Sequence, residues 1–269
     1  GTYLDNTAST AFKAVTLTGV NQFISNNSRG LHILSDGIVT LNNINANLND
    51  DGIYINNTTS TPAKPMAVNI GGTNFINSNK GNGFVIQTHG VVTLNNITAN
   101  FNGIVNTGGY GLNIDNMTST TTPANVTLNG VNTFNGNYGI GVSIYSLGAI
   151  KANSLTAKDS LNDNGAQLQN NFGSSTAGIT LTGTNTFTGN SNTNLSIYSF
   201  GIITLNNINA SNSDNNLGAL IDNSLAATPK AITLTGTNSF SGNWFSGLNL
   251  SSKGAITVNN VTASNNGVS

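Results

Sequence analysis

The chain has no cysteine and no glutamate, and its single arginine is Arg29. Without cysteine there is no disulfide framework and no thiolate metal site. Only 6% of the 269 residues are charged and the formal net charge is -1, against about 25% charged residues in ordinary soluble domains. No basic stripe exists, which argues against nucleic-acid binding. No apolar run approaches the roughly 20 residues of a membrane span. The chain starts at Gly1, with neither Met nor a signal peptide, and reads as a processed product or a segment of something longer.

What is abundant is Asn, Thr, Ser and Gly. Low charge with many Asn can mark a disordered, aggregation-prone tract. Here 37% of the residues are apolar, and they fall at repeating, strand-like positions, enough to line a core.

One motif is written five times: Val15-Thr16-Leu17-Thr18-Gly19, Val68-Asn69-Ile70-Gly71-Gly72, Val126-Thr127-Leu128-Asn129-Gly130, Ile179-Thr180-Leu181-Thr182-Gly183 and Ile232-Thr233-Leu234-Thr235-Gly236. Successive copies lie 53, 58, 53 and 53 residues apart. A fixed period near this length means a repeat architecture. Each repeat holds a second copy, as in Val39-Thr40-Leu41-Asn42 and Ile203-Thr204-Leu205-Asn206, so the structural unit is a half-repeat of 24 residues alternating with one of 29 to 34. Within each, apolar residues alternate with period two, as at Leu31 and Ile33 or Phe84 and Ile86, which means strands with one face buried. Helical spacing is not sustained, and Thr, Val and Ile favour strands.

These features predict an all-β, right-handed parallel β-helix of about ten coils, arranged as five double-coil repeats over 14–66, 67–124, 125–177, 178–230 and 231–269. The whole of 1–269 is one array without evident caps. Ten coils make a rod roughly 50 Å long at the spacing of paired strands. The doubling has a packing reading. One coil carries Phe23, Phe75, Phe134, Phe187 or Phe240, and the next carries Ala46, Ala99, Ala157, Ala210 or Ala263, so large stacks over small. The Asn pairs at 42–43, 95–96, 206–207 and 259–260 suit coil corners, because Asn tolerates left-handed backbone angles. The Thr/Pro-rich runs at 59–65, 119–124 and 226–230 read as loops.

Right-handed β-helices include polysaccharide lyases and hydrolases, whose chemistry needs clustered acidic groups. A glycosidase needs a carboxylate pair about 5–9.5 Å apart. The nine Asp are scattered, and no column carries two of them in adjacent repeats. Asp159 and Asp163 with Lys151 and Lys158 form the densest charged group, ordinarily a solvated loop. His32 and His89 do not align and read as lone surface residues. No zinc, calcium or phosphate-loop motif occurs. The expectation is a non-enzymatic chain without metal or cofactor.

One surface array stands out. The residues flanking the buried Leu of each main strand point outward and form two columns. They include Thr16 and Thr18, Thr40 and Asn42, Thr93 and Asn95, Thr127 and Asn129. The columns continue through Thr180 and Thr182, Thr204 and Asn206, Thr233 and Thr235, and Thr257 and Asn259, interrupted at Lys151. Such Thr-x-Thr ladders resemble the ice-contacting faces of β-solenoid antifreeze proteins. They also fit the plain preference of Thr for exposed strands. Carbohydrate is the other candidate ligand of this face.

The [VI]-T-L-[TN]-[GN] strands and the F-x-G-N corners, Phe134 to Asn137, Phe187 to Asn190 and Phe240 to Asn243, resemble repetitive right-handed β-helix segments of large bacterial cell-surface proteins, such as adhesins and autotransporter-type passengers. The resemblance covers the full chain and implies an extracellular structural or adhesive role. The ends are in phase with the period: Gly1, Thr2, Tyr3 and Leu4 repeat the strand at 52–55, and Gly267, Val268 and Ser269 stop where that strand is due. These seven residues are a candidate end-to-end interface, either with another copy in a filament or with flanking repeats of one polypeptide.

Overall fold

Period-two strands separated by Gly and Asn corners close into a parallel β-helix. The computed structural model describes residues 1–8, 11–58, 64–105, 108–117 and 123–267. Their strands form three parallel sheets of ten strands each, and each coil contributes one strand to each sheet. Sheet one runs from Thr2–Asp5 to Leu248–Ser251, sheet two from Val15–Leu17 to Ile256–Val258, and sheet three, of two-residue strands, from Asn21–Gln22 to Val261–Thr262. Coils are numbered 1 to 10 in this order. Each strand pairs with its equivalent one coil away, so every side-chain column runs along the axis. At about 4.8 Å per coil the stack is roughly 50 Å long.

The inward members of each strand make the core. Val39, Leu41, Val68 and Ile70 of sheet two and Leu31, Ile33, Phe84 and Ile86 of sheet one are fully buried, and the cluster is continuous from end to end. Two corners per coil use a left-handed residue. The corner between sheets two and three has positive φ at Gly19, Gly72, Gly130, Gly183 and Gly236 in odd coils, and at Asn43, Asn96, Ser154, Asn207 and Asn260 in even coils. The expected role of the Asn pairs as corners is therefore met by their second member. The corner after sheet three is also left-handed, at Ser25, Leu48, Ser78, Phe101, Gly136, Asp159, Gly189, Asn212, Gly242 and Asn265.

Odd and even coils differ in three linked ways, and these set the two-coil period. Odd coils enter sheet three through a buried Asn (Asn74, Asn132, Asn185, Asn238), which stands in register with Ile97, Leu155, Ile208 and Val261 of even coils. That Asn accepts from the preceding coil, as Ile44 N–H to Asn74 Oδ1 at 3.0 Å, and donates to corner carbonyls such as Gly71 O at 3.1 Å and Asn95 O at 3.0 Å. Next comes the large–small layer: Phe134, Phe187 and Phe240 against Ala99, Ala157 and Ala210, all fully buried. Finally, even coils pass from sheet one to sheet two through a tight Ser-x-Gly or Thr-x-Gly turn, while odd coils take the long loop. At Gly37 a Cβ would lie 2.1 Å from Lys13 O, so the tight turn demands glycine where it presses on the returning loop. The run at 226–230 lies in such a loop, between Ala219–Asp222 and Ile232–Thr235. Most of the runs at 59–65 and 119–124 lies outside the described residues.

The layer differs from expectation at one place. Phe75 is exposed, and Ile76 fills the buried position. Phe75 follows Asn74 directly, whereas Phe134 is two residues after Asn132. One residue of shift puts a strand side chain on the opposite face. Phe23 is partly buried against the core, and Ala263, on coil 10, is exposed.

Three residues beyond the layer position, eight of the ten coils carry a further Asn. Asn26 Nδ2 donates to Asn49 Oδ1 (2.8 Å), Asn49 to Asn79 (3.2 Å), Asn79 to Asn102 (2.9 Å) and Asn102 to Asn137 (3.1 Å). The same oxygens accept backbone N–H groups, as Asn49 N–H to Asn79 Oδ1 at 2.9 Å. The position is Ser160 in coil 6, whose N–H bonds Asn190 Oδ1 at 2.9 Å, and Ser213 in coil 8. There Asn194, at the entrance to a sheet-one strand, supplies the missing amide: Asn190 Nδ2 donates to its Oδ1 (2.7 Å), and its Nδ2 donates to Asn243 Oδ1 (3.1 Å).

Candidate functional site

The outward face of sheet two is the most regular surface of the molecule. Pairing aligns Thr16 with Thr40, Thr40 with Asn69 and Asn69 with Thr93. The column continues through Thr127, Lys151, Thr180, Thr204, Thr233 and Thr257. The second column is aligned where the strands extend to it, as Asn42 with Gly71, Asn95 with Asn129 and Asn206 with Thr235. Thr18 lies just past its strand and is exposed; Asn259 is likewise exposed.

The two columns differ chemically. Second-column groups bond along the axis. Asn206 Nδ2 donates to Thr235 Oγ1 (2.9 Å), Asn95 Nδ2 to Ile70 O (2.9 Å), and Thr182 Oγ1 to Asn153 Oδ1 (3.4 Å). The hydroxyls of the first-column threonines make no hydrogen bond within the described protein and remain available to an external partner. Beside them, on the same face, Ile38, Val91 and Ile202 are exposed. Sequence reasoning missed this apolar edge, although its signal is plain: each stands two residues before an outward Thr.

Gly1, Thr2, Tyr3 and Leu4 lie on the first coil of the stack, and Gly267 at its other end, on the tenth. Tyr3 is exposed and Leu4 packs against the core. Thr2 pairs with Leu31 of the next coil. A Cβ on Gly1 would lie 1.8 Å from Arg29 O, so its backbone seats directly on coil 2. Gly267 has φ 69° and donates its N–H to Asn243 O at 3.0 Å. Val268 and Ser269 lie outside the described residues.

The two histidines are not lone surface residues. His89 is buried, in the middle of a Thr-x-Gly turn. His32 stands in one column between Tyr3 and Tyr54, with ring centroids 4.9 and 5.1 Å away, both edge-on. Arg29 sits 4.2 Å over the Tyr54 ring and 3.7 Å from Asp51. Desolvation, then the Arg29 charge, pushes the His32 pKa below its ordinary value, against a smaller opposing pull from Asp5. The Asp5 carboxyl is held low by the Thr7 N–H, the Thr7 hydroxyl and the Tyr3 hydroxyl. Tyr3, Arg29, His32 and Asp51, with Asp50, which pairs with Lys80 at 2.8 Å, border a cleft of 380 Å³. Sequence reasoning missed this cluster because Tyr3, His32 and Tyr54 meet through coil-to-coil register.

Asp159 and Asp163 have backbone roles. Asp159 occupies a left-handed corner (φ 56°), and Asp163 Oδ1 accepts the Asn164 N–H at 2.8 Å. The described ion pairs, Arg29–Asp51 and Lys80–Asp50, lie elsewhere. Among the described residues no three His or Asp side chains gather at metal-binding distance. No family model, no curated protein and no solved structure matches this chain.

Proposed function

We propose that the chain is a non-enzymatic structural rod of an extracellular or cell-surface assembly: a segment of a filament, sheath or adhesin stalk. In this reading the coil stack continues into flanking repeats of the same polypeptide or into another copy. The supporting observation is the constancy of the cross-section. Three ten-stranded sheets and one apolar core run through the described coils without a break in register. Repetition of that kind builds length and stiffness by nearest-neighbour contacts. Immunogold labelling of intact producing cells tests it. Surface label supports the reading, and label confined to the cell interior contradicts it.

The uncommitted first-column hydroxyls favour a second reading, in which the Thr/Asn face of sheet two binds an ordered flat surface, ice or carbohydrate. Thermal hysteresis and binding to insoluble polysaccharide test it. A central Thr127→Lys substitution would abolish either activity if the face carries it.

A further inference from the structure

The outward face of sheet one does not repeat. In coils 6 to 8 one of its columns runs Tyr145, Gln169, Tyr198, and the adjacent column runs Ser143, Gln167, Ser196 before reaching Leu220 in coil 9. Gln167, Gln169, Ser196 and Tyr198 form the floor of an open cleft of 460 Å³. Asn164, Asn192 and Thr193 wall it at one corner of the coil, and Asn171 at the other. Its lining holds no charged side chain.

We propose that this cleft binds a neutral glycan chain. Amides and hydroxyls offer donors and acceptors side by side, matching sugar hydroxyls, each of which both donates and accepts. The tyrosine supplies a flat apolar ring with a polar tip, suited to the C–H face of a sugar. Tyr198 lines the cleft, and Tyr145 stands two coils, about 10 Å, along the same column outside the lining, so a chain extending along the axis meets a second ring there. The lining gives an acidic sugar no cationic partner. Asn164 and Asn171 each carry a buried amide oxygen with no hydrogen-bond partner among the described residues. Rotation of either amide would present that acceptor to a ligand hydroxyl. The inference goes beyond the rod reading and uses a different face from the threonine ladder.

Isothermal titration of the full chain with cellohexaose, mannohexaose, chitohexaose and the acidic hexagalacturonate is the test. The cleft predicts binding of at least one neutral hexasaccharide and no preference for the acidic one. Tyr198→Ala and Gln169→Leu each weaken binding about tenfold, the loss of one ring contact or hydrogen bond. Both side chains project outward, so the melting temperature holds, and Gln167→Ala provides a third variant. Val131→Ala, at an exposed corner outside both faces, leaves binding unchanged. Failure of all three neutral probes, preference for hexagalacturonate, or wild-type affinity in the folded cleft variants would overturn the proposal.

Discussion

Replacing Asn79 by Leu removes the centre of the buried amide ladder at nearly constant volume. Its side chain makes four hydrogen bonds: it accepts from Asn49 N–H (2.9 Å) and Asn49 Nδ2 (3.2 Å) and donates to Ala46 O (3.0 Å) and Asn102 Oδ1 (2.9 Å). Not all of these losses count. Asn49 Nδ2 keeps Phe23 O at 2.8 Å, and Asn102 Oδ1 keeps the backbone N–H of residue 79 at 3.1 Å. Two buried groups lose these partners, the Asn49 N–H and the Ala46 carbonyl. At about 1–3 kcal/mol for each unsatisfied group, the loss is about 2–6 kcal/mol. Urea unfolding reads it as a lower midpoint at unchanged slope, and hydrogen exchange of the Asn49 amide should accelerate selectively. Asn69→Ala, on the outer face, should stay within about 0.5 kcal/mol. A loss at position 79 no larger than at position 69 would refute the claim that buried amides hold the coils in register.

Asn194→Ala should also destabilise strongly, because Asn194 alone bridges Asn190 and Asn243 where Ser213 interrupts the ladder; thermal melts check it. Phe187→Ala should cost about 3–5 kcal/mol, whereas Phe75→Ala should fall within about 0.5 kcal/mol, a contrast that chemical denaturation of the two variants tests directly. Gly19→Ala meets open space but keeps φ 76°, so it should cost about 1–2 kcal/mol; Gly37→Ala, blocked by Lys13 O, should cost more, and equal melting points would contradict both assignments. His32 titrates below its ordinary 6.5 in the folded chain. The unfolded chain therefore binds more protons just below that pH, and stability complete above 6.5 declines as pH falls toward the folded value. Asp5, held below 3.8, adds stability that is present above 3.8 and is lost on further acidification through its folded value. His32→Gln should flatten the upper part of the stability–pH curve and Asp5→Asn the lower.

Much of the fold was legible because every coil repeats one strand pattern, and parallel stacking converts sequence period directly into columns. The Val-x-Leu strands, the Asn corners and the Phe/Ala alternation all follow from that. Phe75 was misread because a short odd-coil strand carries Asn-Phe-Ile where its neighbours carry Asn-x-Phe. Aromatic character suggested the core, and period-two parity decided against it. The inner amide ladder was visible as an Asn or Ser three residues after each layer position, and in F-x-G-N, but nothing in composition says which Asn faces inward. The Arg29–His32–Tyr54 cluster and the sheet-one cleft were not legible. They join residues of different coils, as His32 with Tyr54 and Gln169 with Tyr198, on the one sheet whose outer face does not repeat.

Electron microscopy of the native material tests the rod reading most directly. The account predicts unbranched rods or stalks of uniform cross-section, with an axial repeat of about 4.8 Å from stacked strands and a doubled repeat of about 10 Å from alternating odd and even coils. Discrete compact particles lacking both repeats would contradict it.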